Sequence, residues 1–114
     1  MKAILNVFSG RPDPCWDLTA EETSELARRL SGLPPARRTL PEGNLGYHGL
    51  TVANPDRLAG LPVQIQVFQG IIGVWENGHP TYYHDQHHVE EWLIELARQR
   101  GYGSLLDQLI ENHG

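Results

Sequence analysis

Histidine and carboxylate side chains are concentrated in the segment HPTYYHDQHHVEEW, residues 79–92. If a helix begins near residue 86, imidazoles and a carboxylate occupy its first turns, where they would suit zinc or another divalent ion. The spacing matches no standard metal motif, and an exposed, polar helix entry accounts for the same residues. We therefore predict no metal site and no cofactor. The alternative ligand set is His84, His87, His88 and Glu91.

Cys15 is the chain's only cysteine and therefore its only possible thiol nucleophile. It precedes a predicted helix and follows Arg11, and positive potential from both would favour the thiolate. No histidine is close to it in sequence, so no catalytic pair is identified. Beside Trp16, a cysteine packed into the protein is the expected state. We assign no catalytic residue, and a small thiol or metal-dependent enzyme is the alternative function.

The segment FSGRPDPCW, residues 8–16, joins a predicted strand to a predicted helix. Pro12 and Pro14 fix their own φ angles and favour extended backbone at Arg11 and Asp13. A loop restrained in this way has less conformational entropy to lose, and it would hold both charged side chains outward. The segment is predicted to be either a rigid recognition loop or a stiff elbow between two elements.

The stretch VQIQVFQGIIGVWENGHPTYY, residues 63–83, predicts a three-stranded meander. Apolar residues alternate with glutamines in its first strand, and a tight turn at Gln69-Gly70 would place the apolar residues of the second strand opposite them. The other face would then carry an exposed apolar strip of the kind that marks partner sites, unless helices cover both faces. The strip consists of Phe68, Ile71 and Trp75.

Asn77-Gly78 is a hairpin signal, and the strand after it contains Pro80, which is tolerated at a sheet edge. An edge strand of this kind would accept an extended peptide by strand addition. Earlier in the chain, residues 2–8 and 49–53 read as further strands.

Helix signals flank these strands. Thr19 and Glu22 form a capping box, so a helix is expected from about residue 20 to 31, with Gly32 ending it. Asp85 is the predicted cap of a second helix. The glycines of Gly101-Tyr-Gly break that helix, and Ser104 opens a third.

The predicted order is β-α-β-β-β-β-α-α, with the strands grouped. Grouped strands favour an α+β fold with an antiparallel sheet and helices packed mainly on one face. At 114 residues the chain is expected to form a single domain over residues 1–114.

The charge distribution and composition argue against a nucleic-acid-binding protein and against a membrane protein. Residues 1–61 carry equal numbers of acidic and basic groups, so the net charge of −5 comes from residues 62–114. An acidic half of this kind argues against nucleic-acid binding. No apolar run is long enough for a membrane helix, and the N-terminus does not resemble a signal peptide. With one cysteine and no internal disulfide, a cytoplasmic location is expected.

A family resemblance rests on "NVFSGRPDPCW", the amphipathic helix after it and the later "LGYHG". Together these resemble a largely uncharacterised family of small bacterial proteins whose first strand runs into an FSGRP-(N/D)-P-x-W loop. More weakly, the chain is similar to the small accessory subunits that pair with iron-dependent enzymes in ribosomally made peptide pathways, such as 3-thiaglutamate biosynthesis. That similarity implies a larger metal-holding partner subunit and a role in engaging a carrier peptide. It transfers no catalytic residue.

The sequence therefore predicts a non-catalytic accessory protein that engages a protein or peptide partner through a rigid loop and a sheet surface. The predicted partner-binding residues are Arg11, Asp13, Trp16, Tyr47, Phe68, Ile71 and Trp75.

Overall fold

A computed structural model of the chain describes residues 1–7, 13–40, 47–76 and 78–111. Its strands form one antiparallel sheet of six members in the spatial order β2-β1-β3-β4-β5-β6. The α+β class predicted from the sequence is confirmed. The strands are β1 Lys2–Val7, β2 Cys15–Asp17, β3 Tyr47–Ala53, β4 Gln64–Phe68, β5 Ile71–Glu76 and β6 His79–His84.

Strand β2 is absent from the predicted element order, which is corrected in this respect. It pairs antiparallel with β1, with Ala3 opposite Trp16. Hydrogen bonds flank the pair, from Leu5 N to the carbonyl of Pro14 (2.8 Å) and from Leu18 N to the carbonyl of Met1 (3.1 Å). A strand of three residues is too short to show alternation in sequence, so the segment looked like a loop.

The hairpin of β4 and β5 has the predicted register. Ile65 lies opposite Val74 and Val67 opposite Ile72. Gln69 and Gly70 form the connecting turn, and both have positive φ angles, 48° and 85°, as a two-residue hairpin requires. This register places alternate residues of the strands on opposite faces of the sheet.

Helix α1 spans Ala20–Leu30, and its capping box is present. Thr19 N donates to Oε1 of Glu22 (2.9 Å), and Glu22 N donates to Oγ1 of Thr19 (3.1 Å). Gly32, after the helix, has a φ of 71°, which a glycine adopts without strain. Both helix boundaries agree with the prediction.

Helix α2 spans Val89–Ala97 and continues into a π-helical segment, Arg98–Tyr102. Gly101, with a φ of 95°, breaks the helical geometry before α3 begins at Gly103 and runs to Glu111. The glycine break is therefore as predicted, whereas α2 begins three residues later than the expected residue 86. Among the described residues, no helix combines the length and apolarity needed to cross a bilayer.

The hydrophobic core lies between the helices and one face of the sheet. Alternate residues of β1, namely Ala3, Leu5 and Val7, are buried there. Leu26, Leu93 and Leu106 enter the same cluster from α1, α2 and α3. The helices therefore pack on one face, and the other face, which we call the open face, has no described helix against it.

Candidate partner-binding surface

Two rows of side chains cross the open face from edge to edge. The strand registers align them, because residues directly opposite one another in neighbouring strands point to the same side. The first row is Cys15, Ile4, Thr51, Gln66, Gly73 and Tyr82, and the second is Asp17, Lys2, Ala53, Gln64, Trp75 and Pro80.

An aromatic pair dominates the β5–β6 end of this face. The rings of Trp75 and Tyr82 meet edge to face, with centroids 6.2 Å apart and planes at 80°. Gly73 makes this possible, because a Cβ atom there would lie 2.8 Å from Cζ3 of Trp75 and 3.1 Å from Cε1 of Tyr82. Trp75 thus lies across the glycine and stays partly exposed. Its polarisable ring surface is available to a partner.

Among the described residues of the two rows, those around the aromatic pair carry no formal charge. Thr51, Gln64 and Gln66 are partly exposed neutral side chains, and Asn6 donates from Nδ2 to Oγ1 of Thr51 at 2.9 Å. The two rows contain one acid and one base, Asp17 and Lys2, which lie opposite each other at the β2 end. Aromatic side chains with few charges are typical of the centre of a protein interface.

The predicted exposed strip is wrong for two of its three members. Phe68 and Ile71 do lie on the side of the sheet that the alternation indicated, but they are 6% and 0% exposed. They face each other at the β4–β5 turn, and the ring of His48 stacks against Phe68 with centroids 6.4 Å apart. Trp75 remains as the member that presents surface.

Trp16 was also predicted to face a partner, and the structure places it in the core on the helix side, 8% exposed. Its ring lies 6.0 Å from that of Tyr102, and the guanidinium of Arg100 lies 5.8 Å from it. Arg100 also pairs with Glu22 at 2.8 Å. Trp16 therefore joins β2 to the π-helical segment and α1. Its buried Nε1 has no hydrogen-bond partner among the described residues.

The opening loop is described in part. Asp13 is turned toward its own chain, and its Oδ1 accepts a hydrogen bond from Val7 N at 3.2 Å. This corrects the expectation of an outward carboxylate, because the side chain is hydrogen-bonded to the end of β1. Arg11 and the side chain of Tyr47 lie outside the described residues, so their predicted roles stay predictions.

Cys15 is exposed, which corrects the expectation of a packed thiol. The reason is the strand that the sequence did not show: Trp16 points into the core, so its neighbours Cys15 and Asp17 point out. Cys15 ends the first row of the open face, opposite Ile4.

The histidine segment is divided among different elements. His84 is the last residue of β6. His88 is the N-cap of α2 and has a φ of 58°. The Nδ1 atom of His88 lies 3.6 Å from Oε1 of Glu91. His87 turns to α1, where its Nδ1 lies 2.8 Å from the carbonyl oxygen of Arg29. Among the described residues no three histidine, cysteine, aspartate or glutamate side chains are close enough to hold a metal ion. The alternative ligand set is therefore not brought together.

The outer edge of β6 is partly paired with the protein's own chain. Ala36 N donates to the carbonyl of Tyr82, and His84 N donates to the carbonyl of Pro34, both at 2.9 Å. Pro80 has no N–H to offer a further strand. Strand addition at this edge would have to displace residues 34–36.

Sequence reasoning missed Gly73 and Tyr82 as parts of this surface. A usable signal was present, since a glycine inside a strand marks a close approach by another group. Trp75 two residues later and Tyr82 across the hairpin are the groups that approach. Recognising them needs the β5–β6 register, in which Gly73 lies opposite Tyr82.

No protein-family model, curated protein or solved structure matches this chain.

Proposed function

We propose that this chain is a non-catalytic accessory protein that binds a polypeptide partner through the open face of its sheet. The observation that carries the proposal is the Trp75–Tyr82 pair, partly exposed over Gly73, with uncharged described residues beside it in both rows. In a chain with a net charge of −5, an uncharged aromatic face is the surface that loses least on desolvation. Tryptophan and tyrosine are also the side chains that most often anchor interfaces.

The similarity of the chain to small accessory subunits suggests which kind of polypeptide the partner is. We propose the larger, metal-holding subunit of an enzyme that modifies ribosomally made peptides. The accessory chain would help that subunit to engage its carrier peptide. Arg11 would contribute a planar guanidinium for a partner carboxylate, in keeping with its predicted role.

The test is photo-crosslinking in the source cells with benzoylphenylalanine at position 66, on the open face. The matched control carries it at position 58, because Leu58 is 45% exposed and lies outside both rows. We expect one larger polypeptide to crosslink from position 66 and not from position 58. Equal crosslinking from both positions would contradict the proposal.

Purified partner then allows an affinity measurement. Trp75→Ala is expected to weaken binding by about 2 kcal/mol or more, as a central aromatic anchor does. Leu58→Ala is the control and should leave affinity unchanged. A Trp75→Ala variant that keeps its circular dichroism spectrum and full affinity would exclude the open face as the interface.

A further inference from the structure

A groove lies on the helix side of the sheet, away from the open face. It lies between the C-terminal end of α1, the Leu61-Pro62 segment and the β5–β6 hairpin. Its inner compartment has a volume of about 350 Å³, and a second compartment of about 440 Å³ lies toward the β5–β6 turn. Pro62, Val74 and Tyr83 line both, so the two form one groove. Each compartment lies within the size range of ligand-binding clefts.

The inner compartment is built from apolar side chains. Leu30 and Leu33 come from the end of α1 and the residues after it, and Leu61 and Val74 complete the wall. Leu30, Leu33 and Val74 pack against the core but remain partly exposed. An apolar side chain entering here would remove this surface and its own from water, which is favourable.

The second compartment has acidic character. Its lining includes Glu76, Thr81 and His79, and among the residues that the structure describes no lysine or arginine lines either compartment. Glu76 forms an exposed ion pair with Arg57, whose Nη1 lies 4.0 Å from Oε1, with both side chains about half exposed. That distance is too long for a hydrogen bond. At the opposite end, Arg28 and Arg29 in the last turn of α1 offset the partial negative charge of the helix C-terminus. The preference for a cation therefore rests on Glu76, for which a ligand cation would compete with Arg57.

We propose that this groove binds a peptide segment in which an apolar side chain is followed by lysine or arginine. The apolar side chain occupies the inner compartment, and the cation pairs with Glu76. Tyr83, whose side chain borders both compartments, supplies a hydroxyl to the peptide backbone between them. The site goes beyond the proposed function, because it lies on the other side of the sheet from Trp75.

Three blocked peptides separate the apolar and the charged contributions to binding. The first is acetyl-Gly-Leu-Lys-Gly-amide. In the second, glutamate replaces the lysine (Leu-Glu), and in the third, serine replaces the leucine (Ser-Lys). Each is titrated into the ¹⁵N-labelled full chain, and backbone amide shifts are followed by NMR. We expect the Leu-Lys peptide to shift the amides of Leu33, Val74 and Thr81. The other two peptides should bind more weakly, because each lacks one of the two contacts.

Variants then test the assignment. Glu76→Gln should weaken Leu-Lys binding about two- to fivefold, the range of an exposed ion pair, and should abolish the preference over Leu-Glu. Glu91→Gln, which removes an exposed carboxylate elsewhere, is the matched control and should change neither. Trp75→Ala should leave peptide binding intact, which separates this site from the open face.

Three results would overturn the proposal: no shift at millimolar peptide, equal binding of the Leu-Lys and Leu-Glu peptides, or shifts centred on Gln66 and Tyr82 instead of the groove.

Discussion

Arg29 and His87 bind each other's backbone. Nη1 of Arg29 donates to the carbonyl oxygen of His87 at 2.7 Å, and Nδ1 of His87 lies 2.8 Å from the carbonyl oxygen of Arg29. Because a carbonyl oxygen only accepts, Nδ1 of His87 carries the proton. The guanidinium of Arg29 also lies 5.3 Å from the ring of Trp92 on α2. This reciprocal pair joins the end of α1 to the start of α2.

We expect His87→Ala to lower the free energy of unfolding by about 1 kcal/mol, because one hydrogen bond is lost and the carbonyl of Arg29 is left without its donor. His87→Asn is the matched variant, since its amide N–H₂ can take the place of Nδ1–H. Urea unfolding of both variants is the measurement. Equal destabilisation by the two substitutions would mean that the ring's packing matters and its hydrogen bond does not.

Asp85 caps α2 with both carboxylate oxygens. Oδ1 accepts from Val89 N at 2.7 Å and Oδ2 from Glu90 N at 2.9 Å. Asp85→Ala leaves both amides without these acceptors and is expected to cost about 1–2 kcal/mol in unfolding free energy. Asp85→Asn keeps one oxygen acceptor and should cost less. Gln86→Ala, at an exposed neighbouring position, is the control. If the Asp85→Ala variant is as stable as the Gln86→Ala variant, Asp85 does not stabilise the start of α2.

Cys15 should react with a thiol reagent in the folded protein, because it is exposed on an edge strand. We expect the labelling rate with 5,5′-dithiobis(2-nitrobenzoic acid) to change little when urea unfolds the chain. Cys15→Ser should leave the unfolding free energy within about 0.5 kcal/mol of the original, as exposed substitutions do. Labelling that starts only on unfolding would show that the thiol is covered.

Gly73 and Trp75 are expected to be energetically coupled. Gly73→Ala forces the indole ring off its position, because the new methyl group would overlap it. Such overpacking costs about 1–3 kcal/mol. In the double variant Gly73→Ala/Trp75→Ala the ring is gone, so adding the methyl group should cost much less. A double-mutant cycle in urea measures the difference, and additive effects would show that the ring does not lie over Gly73.

Glu25 should make the stability of α1 depend on pH. Hydrogen bonds from Arg28 lower the pKa of its carboxyl group and are the largest cause; burial opposes them, and the hydrogen bond and charge of Arg29 lower the pKa further. A carboxyl group with a lowered pKa contributes stability above its unfolded pKa and loses it as the pH falls through the folded value. Glu25→Gln should therefore lower the melting temperature at neutral pH.

Measurements on the Glu25→Gln variant at low pH provide the control for this prediction. As the pH falls through the lowered pKa of Glu25, the difference in melting temperature between Glu25→Gln and the original chain should shrink toward zero. A ¹³C-detected titration of the Glu25 carboxyl reports its pKa directly. A value at or above that of an exposed glutamate would contradict the assignment of Arg28 as its main partner.

Local signals in the sequence predict a structural feature correctly where that feature depends on a single helix or hairpin. The alternation in β4 and the Gln69-Gly70 turn together determine that Ile65 faces Val74. The capping box needs only Thr19 and Glu22. The carboxylate of Asp85 accepts from the first two amides of α2, but His88 and not Asp85 occupies the N-cap position, so the predicted start of the helix is too early. His88 takes a left-handed conformation and delays the helix to Val89, and no local pattern required that conformation.

Contacts between segments that are distant in the sequence could not be predicted from local patterns. The surroundings of Trp16 include Arg100 and Tyr102, more than eighty positions along the chain, and these turn a predicted surface residue into a core residue. The alternation assigned Phe68 to the correct side of the sheet. Its burial beside His48 depends instead on how β3 meets the β4–β5 turn. Burial is therefore a tertiary property that alternation alone does not report.

The pairing of residues 34–36 with β6 also bears on how the protein behaves at high concentration. A sheet grows into a fibril when a second molecule finds unpaired N–H and C=O groups along an edge. At one end of this sheet, Tyr82 and His84 already have part of their edge groups occupied, and Pro80 has no N–H to give. At the other end, β2 offers a template of only three residues. Neither end is a good seed for cross-β stacking, so the fold carries its own protection against amyloid growth.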